Sequence, residues 1–165
     1  MSKSEQYLKE AFAGESQANR KYLAFAEKAK HEGFPQAARL FLAAAEAETV
    51  HAHNHLKVLK GIRSTAENLT EAVAGETHEF KTMYPEMLAA AKAEGAKDAE
   101  RSFHLALEVE KVHGKLYQEM LANLGKSKDE FPYFVCPVCG YTSEKSAPVV
   151  CPVCGAKGSM FKKIE

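Results

Sequence analysis

The sequence predicts an all-α four-helix bundle followed by a small metal-knuckle domain at its C-terminal end. Three observations carry this reading. Apolar residues recur at helical spacing through four long stretches ending near residue 124. The helical part also repeats itself. Glu10-Ala-Phe-Ala-Gly-Glu-Ser returns as Glu71-Ala-Val-Ala-Gly-Glu-Thr 61 residues later, and Glu48 with His51 returns as Glu110 with His113 at an offset of 62. Finally, all four cysteines lie in the last 30 residues, as two Cys-x-x-Cys pairs.

The first helix is expected over residues 3–31, where Tyr7, Leu8, Ala11, Phe12, Tyr22, Phe25 and Ala29 share one face. Gly33-Phe34-Pro35 breaks it, and Pro35 is suited to start the second helix, because a first-turn proline loses no hydrogen bond. That helix should run to Lys60, with Lys60-Gly61 as its exit. Ser64 followed by Glu67 has the spacing of a capping box, so a third helix starts there and continues to about Ala93. Pro85 lies in its interior and predicts a kink. Glu94-Gly95-Ala96 forms the next turn, and a fourth helix spans Lys97 to Leu124. Beyond a polar linker at residues 126–130 the elements shorten and prolines appear, which places a domain boundary near residue 130.

Composition excludes several classes. The 22 basic and 22 acidic residues balance, with no basic stripe, so nucleic acid is not an expected partner. No stretch approaches the roughly 20 apolar residues that span a bilayer, and the first residues lack the apolar core of a signal peptide. A soluble, cytoplasmic protein without a membrane partner is expected. Clustered cysteine pairs in such a chain favour metal ligation over a disulfide framework.

The repeated polar residues point to chemistry. In Glu-x-x-His on a helix, one carboxylate and one imidazole share a face and reach a common centre. Two such pairs, plus a Glu from each of two other helices, are the ligand set of di-iron helical bundles. Here the pairs are Glu48/His51 and Glu110/His113, and the additional carboxylates are Glu15 and Glu76, with Glu79 three residues beyond. Their apolar setting would make isolated carboxylates costly, so their matched recurrence favours a symmetric metal site. Oxygen and imidazole ligands suit iron or manganese. Gly14 and Gly75 precede Glu15 and Glu76 in mid-helix, where glycine is either simply tolerated, at about 1 kcal/mol relative to alanine, or allows close helix approach around a metal cluster. Cys136, Cys139, Cys151 and Cys154 form two knuckles with 11 residues between them, the spacing of a tetrahedral four-sulfur site for iron or zinc. A domain of about 35 residues needs that metal in order to fold. Tyr133, Phe134, Tyr141 and Phe161 are its candidate packing residues.

On these two motif sets the chain resembles the rubrerythrin family along essentially its whole length. The resemblance implies a ferritin-like di-iron domain over residues 1–130 and a rubredoxin-like domain with one Cys-bound iron over 131–165. It implies that Glu48 and Glu110 bridge the two ions, with Glu15 on one iron and Glu76 and His113 on the other. Glu79 and His51 would exchange on the first iron when the centre is reduced. Tyr22 and Tyr84 match family tyrosines near the cluster and would bond or handle peroxide. The implied activity is peroxidase: hydrogen peroxide is reduced to water in oxidative-stress defence, with electrons arriving through the Cys-bound iron. No nicotinamide-binding glycine motif is present, so the electron donor would be rubredoxin or a separate NAD(P)H-dependent reductase. Zinc can fill the four-cysteine site in recombinant material. A ferroxidase, or an iron-storage or sensor protein with structural zinc, is the alternative.

The connection between the hairpins adds an expectation about assembly. A ferritin-like bundle needs a crossover that returns along the whole bundle between the second and third helices. Glu48 and Glu76 are only 28 residues apart. Subtracting the helical residues leaves roughly six, a reach of about 20 Å, against a return path of about 35 Å. The second hairpin is therefore expected to swap into a neighbouring chain of a homodimer or higher oligomer.

Overall fold

The computed structural model describes residues 2–165. Five α-helices precede three short strands. They are α1 (Lys3–His31), α2 (Pro35–Val58), α3 (Thr65–His78), α4 (Tyr84–Glu94), α5 (Lys97–Asn123), β1 (Tyr133–Val135), β2 (Thr142–Glu144) and β3 (Lys162–Ile164). These are the elements of a ferritin-like four-helix bundle with a small cysteine-rich strand domain of rubredoxin-like type. No helix among the described residues is long and apolar enough to cross a membrane. The chain forms two compact units, the first ending at Arg63 and the second running from Ser64 to Glu165.

The first unit is the α1–α2 hairpin. The Ser2 hydroxyl caps α1 by accepting from the Glu5 N–H, and Pro35 occupies the first turn of α2. Small side chains line the contact: Ala26, Ala29, Ala38, Ala45 and Ala52 are buried, so the two backbones approach closely. Asn19 is the buried polar residue between them. Its Nδ2 donates to the Ala45 carbonyl at 2.6 Å and to Thr49 Oγ1 at 2.8 Å. The exit from α2 lies at Lys60-Gly61 as expected, with the helix itself ending two residues short of Lys60, at Val58. Lys60, not Gly61, takes the left-handed conformation, with φ of 53°. Gly61 serves packing instead, because a Cβ there would lie 2.3 Å from Leu56 Cδ1.

In the second unit the expected capping box is present at Ser64 and Glu67. The expected single helix from there is not continuous α-helix. A π-helical turn at Glu79–Met83 separates α3 from α4, and Pro85 lies in the first turn of α4. The Tyr84 N–H bonds the Glu79 carbonyl five residues back. Proline has no N–H and its ring collides with the carbonyl four residues earlier, so widening the preceding turn relieves the conflict. The repeat records the same event. Glu15 and Glu76 are 61 apart, whereas Tyr22 and Tyr84 are 62 apart. One residue is inserted between them in the second hairpin, and a π-turn is the helical form of a one-residue insertion.

The strand domain packs on α5 within this unit. Its sheet order is β2-β1-β3, antiparallel throughout. Tyr141 meets Phe161 edge-on at 6.4 Å, and Phe131 meets Tyr133 at 5.6 Å. Gly140 faces α5, where a Cβ would approach Val109 Cγ1 to 3.7 Å.

Candidate metal centres

The four cysteine sulfurs converge. Sγ of Cys136 lies 3.6 Å from that of Cys154, and Sγ of Cys139 lies 3.6 Å from that of Cys151. A disulfide would require about 2.05 Å. A tetrahedral metal with bonds of about 2.3 Å to sulfur places its ligands about 3.8 Å apart, so the sulfurs fit a four-thiolate ion. Two similar knuckles build the site. Gly140 N–H donates to the Cys136 carbonyl at 2.9 Å and Gly155 N–H to that of Cys151 at 3.0 Å, with both glycines at positive φ. Without metal the thiols are held unequally. Burial pushes Cys139 well above the usual thiol range. Burial also acts upward on Cys151, but the N–H groups of Cys154 and Val153, together with the Cys154 and Cys139 thiols, bring Cys151 down to about 7.

Each helical unit carries one half of a carboxylate–imidazole set. In the first, Glu15, Glu48 and His51 offer ligand atoms within 4.8 Å of one another, and in the second Glu76, Glu110 and His113 do so. The halves copy each other in detail. His51 Nδ1 is 2.9 Å from Glu48 Oε2, and His113 Nδ1 is 2.7 Å from Glu110 Oε2. Helical spacing of three residues aligns each pair. Their surroundings differ. The His51 side chain is 53% exposed and that of His113 26% exposed. His113 Nε2 has a partner, Thr142 Oγ1 on β2, at 3.0 Å.

Glu79 opens the π-turn and is outside the tight group of three. It still senses that group: burial and the Glu110 carboxylate both raise its pKa. Tyr84 belongs to the same neighbourhood. Burial, then the charges of Glu79, Glu110 and Glu76, keep its phenol protonated beyond the usual range, and its ring lies 6.4 Å from Phe103. Tyr22 sits in an aromatic cluster of the first unit, 6.3 Å from Phe25 and 6.2 Å from Phe41. Nothing lies within 4 Å of where a Cβ would stand on Gly14 or Gly75. These glycines therefore do not serve the packing of their own hairpins. Close approach falls instead to Gly114 on α5, where a Cβ would meet Phe80 Cε1 at 3.2 Å. Reading the sequence missed Gly114, Asn19 and Thr142. The repeat held a signal for the first, because Gly114 aligns with the buried Ala52 at the offset of 62.

Crowded carboxylates are what a metal would relieve. Burial, the hydrogen bond with Glu110, and the charges of Glu110 and Glu79 bring Glu76 up to about 7 from 4.5. A carboxyl whose folded pKa is raised contributes stability that is full below pH 4.5 and lost as pH rises through about 7. In metal-free protein, a Glu76→Gln variant should therefore gain thermal stability relative to wild type as pH rises through that window. Melting curves across the range check this; a relative loss by the variant would contradict it. Metal binding, which needs the carboxylate, should release a proton in the same window.

Both parts of the chain match known families. Residues 6–121 match the family Rubrerythrin, and residues 134–162 match the family described as rubrerythrin, rubredoxin-like domain. Rubrerythrin-2 of Clostridium acetobutylicum is 40% identical over 153 residues, covering 83% of each chain. Rubrerythrin of Porphyromonas gingivalis is 38% identical over 165 residues, covering 89% of this chain and 82% of the other. Among solved structures, the fully reduced, all-ferrous state of nigerythrin superposes with a TM-score of 0.61 at 30% identity, covering 99% of this chain and 88% of that one.

Proposed function

The chain belongs to the rubrerythrin family, and on that premise we propose that it reduces hydrogen peroxide to water at a carboxylate–histidine di-iron centre fed by its four-cysteine iron. The observation that carries this is the pairing of two matched Glu/Glu/His half-sites with a four-thiolate site in one chain. The division by task falls at residue 130, with the di-iron domain over 1–130 and the Cys-bound iron domain over 131–165.

Glu15, Glu48 and His51 hold ions from the first unit, and Glu76, Glu79, Glu110 and His113 from the second. Glu48 and Glu110 would serve as the bridging carboxylates. Glu79 and His51 would be the pair that exchanges as the charge of the centre changes. Glu79 suits this role because it stands on the π-turn, one turn beyond Glu76, close enough for Glu110 to raise its pKa. Iron bound here and at the cysteines supplies the two electrons that convert peroxide, with two protons, to two waters. The similar solved structure of nigerythrin is described as fully reduced and all ferrous, which supports iron as the metal. The chain's own part is to collect the carboxylates and hold a proton at the Tyr84 hydroxyl, which burial and its acidic neighbours keep from ionising. Tyr22 is the corresponding hydroxyl of the first unit. The donor that reloads the cysteine iron is rubredoxin or an NAD(P)H-dependent reductase, in a cytoplasmic setting that keeps the thiols reduced.

The two half-sites meet between copies of the chain. Helix α2 runs to Val58 and α3 begins at Thr65, so six residues connect them. These reach about 20 Å, while the 24 residues of α2 span about 36 Å. The first unit also buries alanines and Asn19 but fully buries no large apolar side chain among the described residues. Leu40, Val50 and Val58 are exposed. A two-helix hairpin without a core needs a second half to cover it.

With both centres iron-loaded and a reduced donor present, peroxide should be consumed faster than oxygen, at one peroxide per two electrons. Oxygen consumption that outpaces peroxide consumption would make the protein a ferroxidase or oxidase instead.

A further inference from the structure

The two halves of the repeat place an imidazole identically against a carboxylate, yet only one of the two imidazoles is tied from behind. His113 presents Nδ1 to Glu110 Oε2 at 2.7 Å and Nε2 to Thr142 Oγ1 at 3.0 Å. Thr142 in turn lies 3.1 Å from the Gly140 carbonyl. A hydroxyl has one proton and the carbonyl has none. With that proton on the bond to Gly140, Thr142 can only accept from His113, so Nε2 must carry a hydrogen. The reverse assignment would set the threonine and Gly140 lone pairs against each other at 3.1 Å. Nδ1 in turn donates to Glu110 Oε2 at 2.7 Å, so with Nε2 held as a donor to Thr142 it is the Nδ1 hydrogen, on the side of Glu110 and Glu76, that a metal would displace. His51 has the same inner contact, at 2.9 Å to Glu48, but its outer nitrogen has no partner among the described residues of its own unit, and the ring is half exposed.

We propose that Thr142 is a positioning residue that fixes the Nδ1-ligating tautomer and orientation of His113, and thereby makes His113 the permanent imidazole of the centre while His51 stays free to leave. The inference rests on the reading of His113 as a metal ligand. It assigns to the cysteine domain a task besides carrying an electron: through Thr142, two residues past Gly140, the knuckle braces a ligand of the other centre. Partners of this kind set ring orientation and ligand basicity, and their loss typically lowers metal affinity by about 10- to 100-fold.

The test uses the full chain loaded with zinc(II), which is diamagnetic, in wild-type, Thr142→Val and Thr142→Ser forms. Imidazole nitrogen-15 shifts report which nitrogen holds hydrogen and which binds metal. In wild type, His113 should keep its Nε2 hydrogen and shift at Nδ1 when zinc is added. Thr142→Val, which keeps the shape and removes the hydroxyl, should speed exchange of that hydrogen and lower zinc affinity at the carboxylate centre by about 10- to 100-fold. Thr142→Ser should restore both, and His51 should be unchanged in all three forms. Ligation of His113 through Nε2, or a Thr142→Val protein equal to wild type in exchange and affinity, would overturn the proposal. If neither histidine responds to zinc, the ligand reading itself falls; if His113 responds at Nδ1 and only the valine effect is missing, Thr142 alone is wrongly placed. Should the valine protein not fold, the wild-type tautomer and the serine form decide.

Discussion

Replacing Cys136 with serine is expected to disconnect the two centres while leaving the carboxylate centre loaded. Cys136 is almost fully buried and its sulfur stands 3.6 Å from Cys154. Structural ions of this type are worth about 10–16 kcal/mol of folding energy in small metal domains. The domain's own core is a few aromatic contacts around Tyr141–Phe161 and Phe131–Tyr133. Losing one of four thiolates should therefore unfold residues 131–165. Three results follow. The colour of ferric iron bound by four thiolates disappears. Peroxide turnover with the native donor falls to near background. Turnover driven by a small chemical reductant that reaches the carboxylate centre directly largely survives. Because the unfolded domain also withdraws Thr142 from His113, affinity at the carboxylate centre should fall by the same factor of about 10 to 100, so loading is compared at saturating iron. Unchanged turnover with the native donor would exclude the cysteine iron from the electron route.

Glu110→Ala is expected to do the opposite, sparing the cysteine iron and eliminating the carboxylate centre. Glu110 is the residue on which the second unit converges. It bonds Glu76, contacts His113 at 2.7 Å and, by its charge, raises Glu79 and Tyr84. If Glu110 bridges the ions as proposed, its removal should cost more than the roughly 100-fold upper range for losing a residue that only supports a ligand. Iron content at the carboxylate centre and peroxide turnover should both collapse, with the visible spectrum of the cysteine iron intact. In the metal-free variant Glu76 should also titrate lower, because the hydrogen bond and like charge of Glu110 are gone. Retention of carboxylate-bound iron would show that Glu110 is not a ligand.

Where local chemistry sets an element, the sequence was a sufficient guide. Pro35 starts α2 as a first-turn proline should, and Ser64 with Glu67 forms the capping box its spacing announces. The cysteine site was legible because two short knuckles carry their own geometry. Features set by long-range fit were not. Pro85 suggested a kink, whereas the chain widens one turn before it, and the only trace was the change of repeat offset from 61 to 62. Thr142 could not be seen at all, because its bond to His113 joins residues 29 apart in different elements.

Mixed dimers test the account most directly. Glu48→Ala disables the half-site of the first unit and Glu110→Ala that of the second, so each protein alone should lack carboxylate-bound iron and peroxide turnover. In a dimer purified by separate tags on the two variants, exchange of hairpins brings an intact first unit from one chain to an intact second unit from the other. About half of the wild-type carboxylate-bound iron and peroxide turnover should return, because two-fold symmetry leaves one of the two centres complete. A mixed dimer as devoid of both as its parents would place all the ligands of each centre in a single chain and contradict the account.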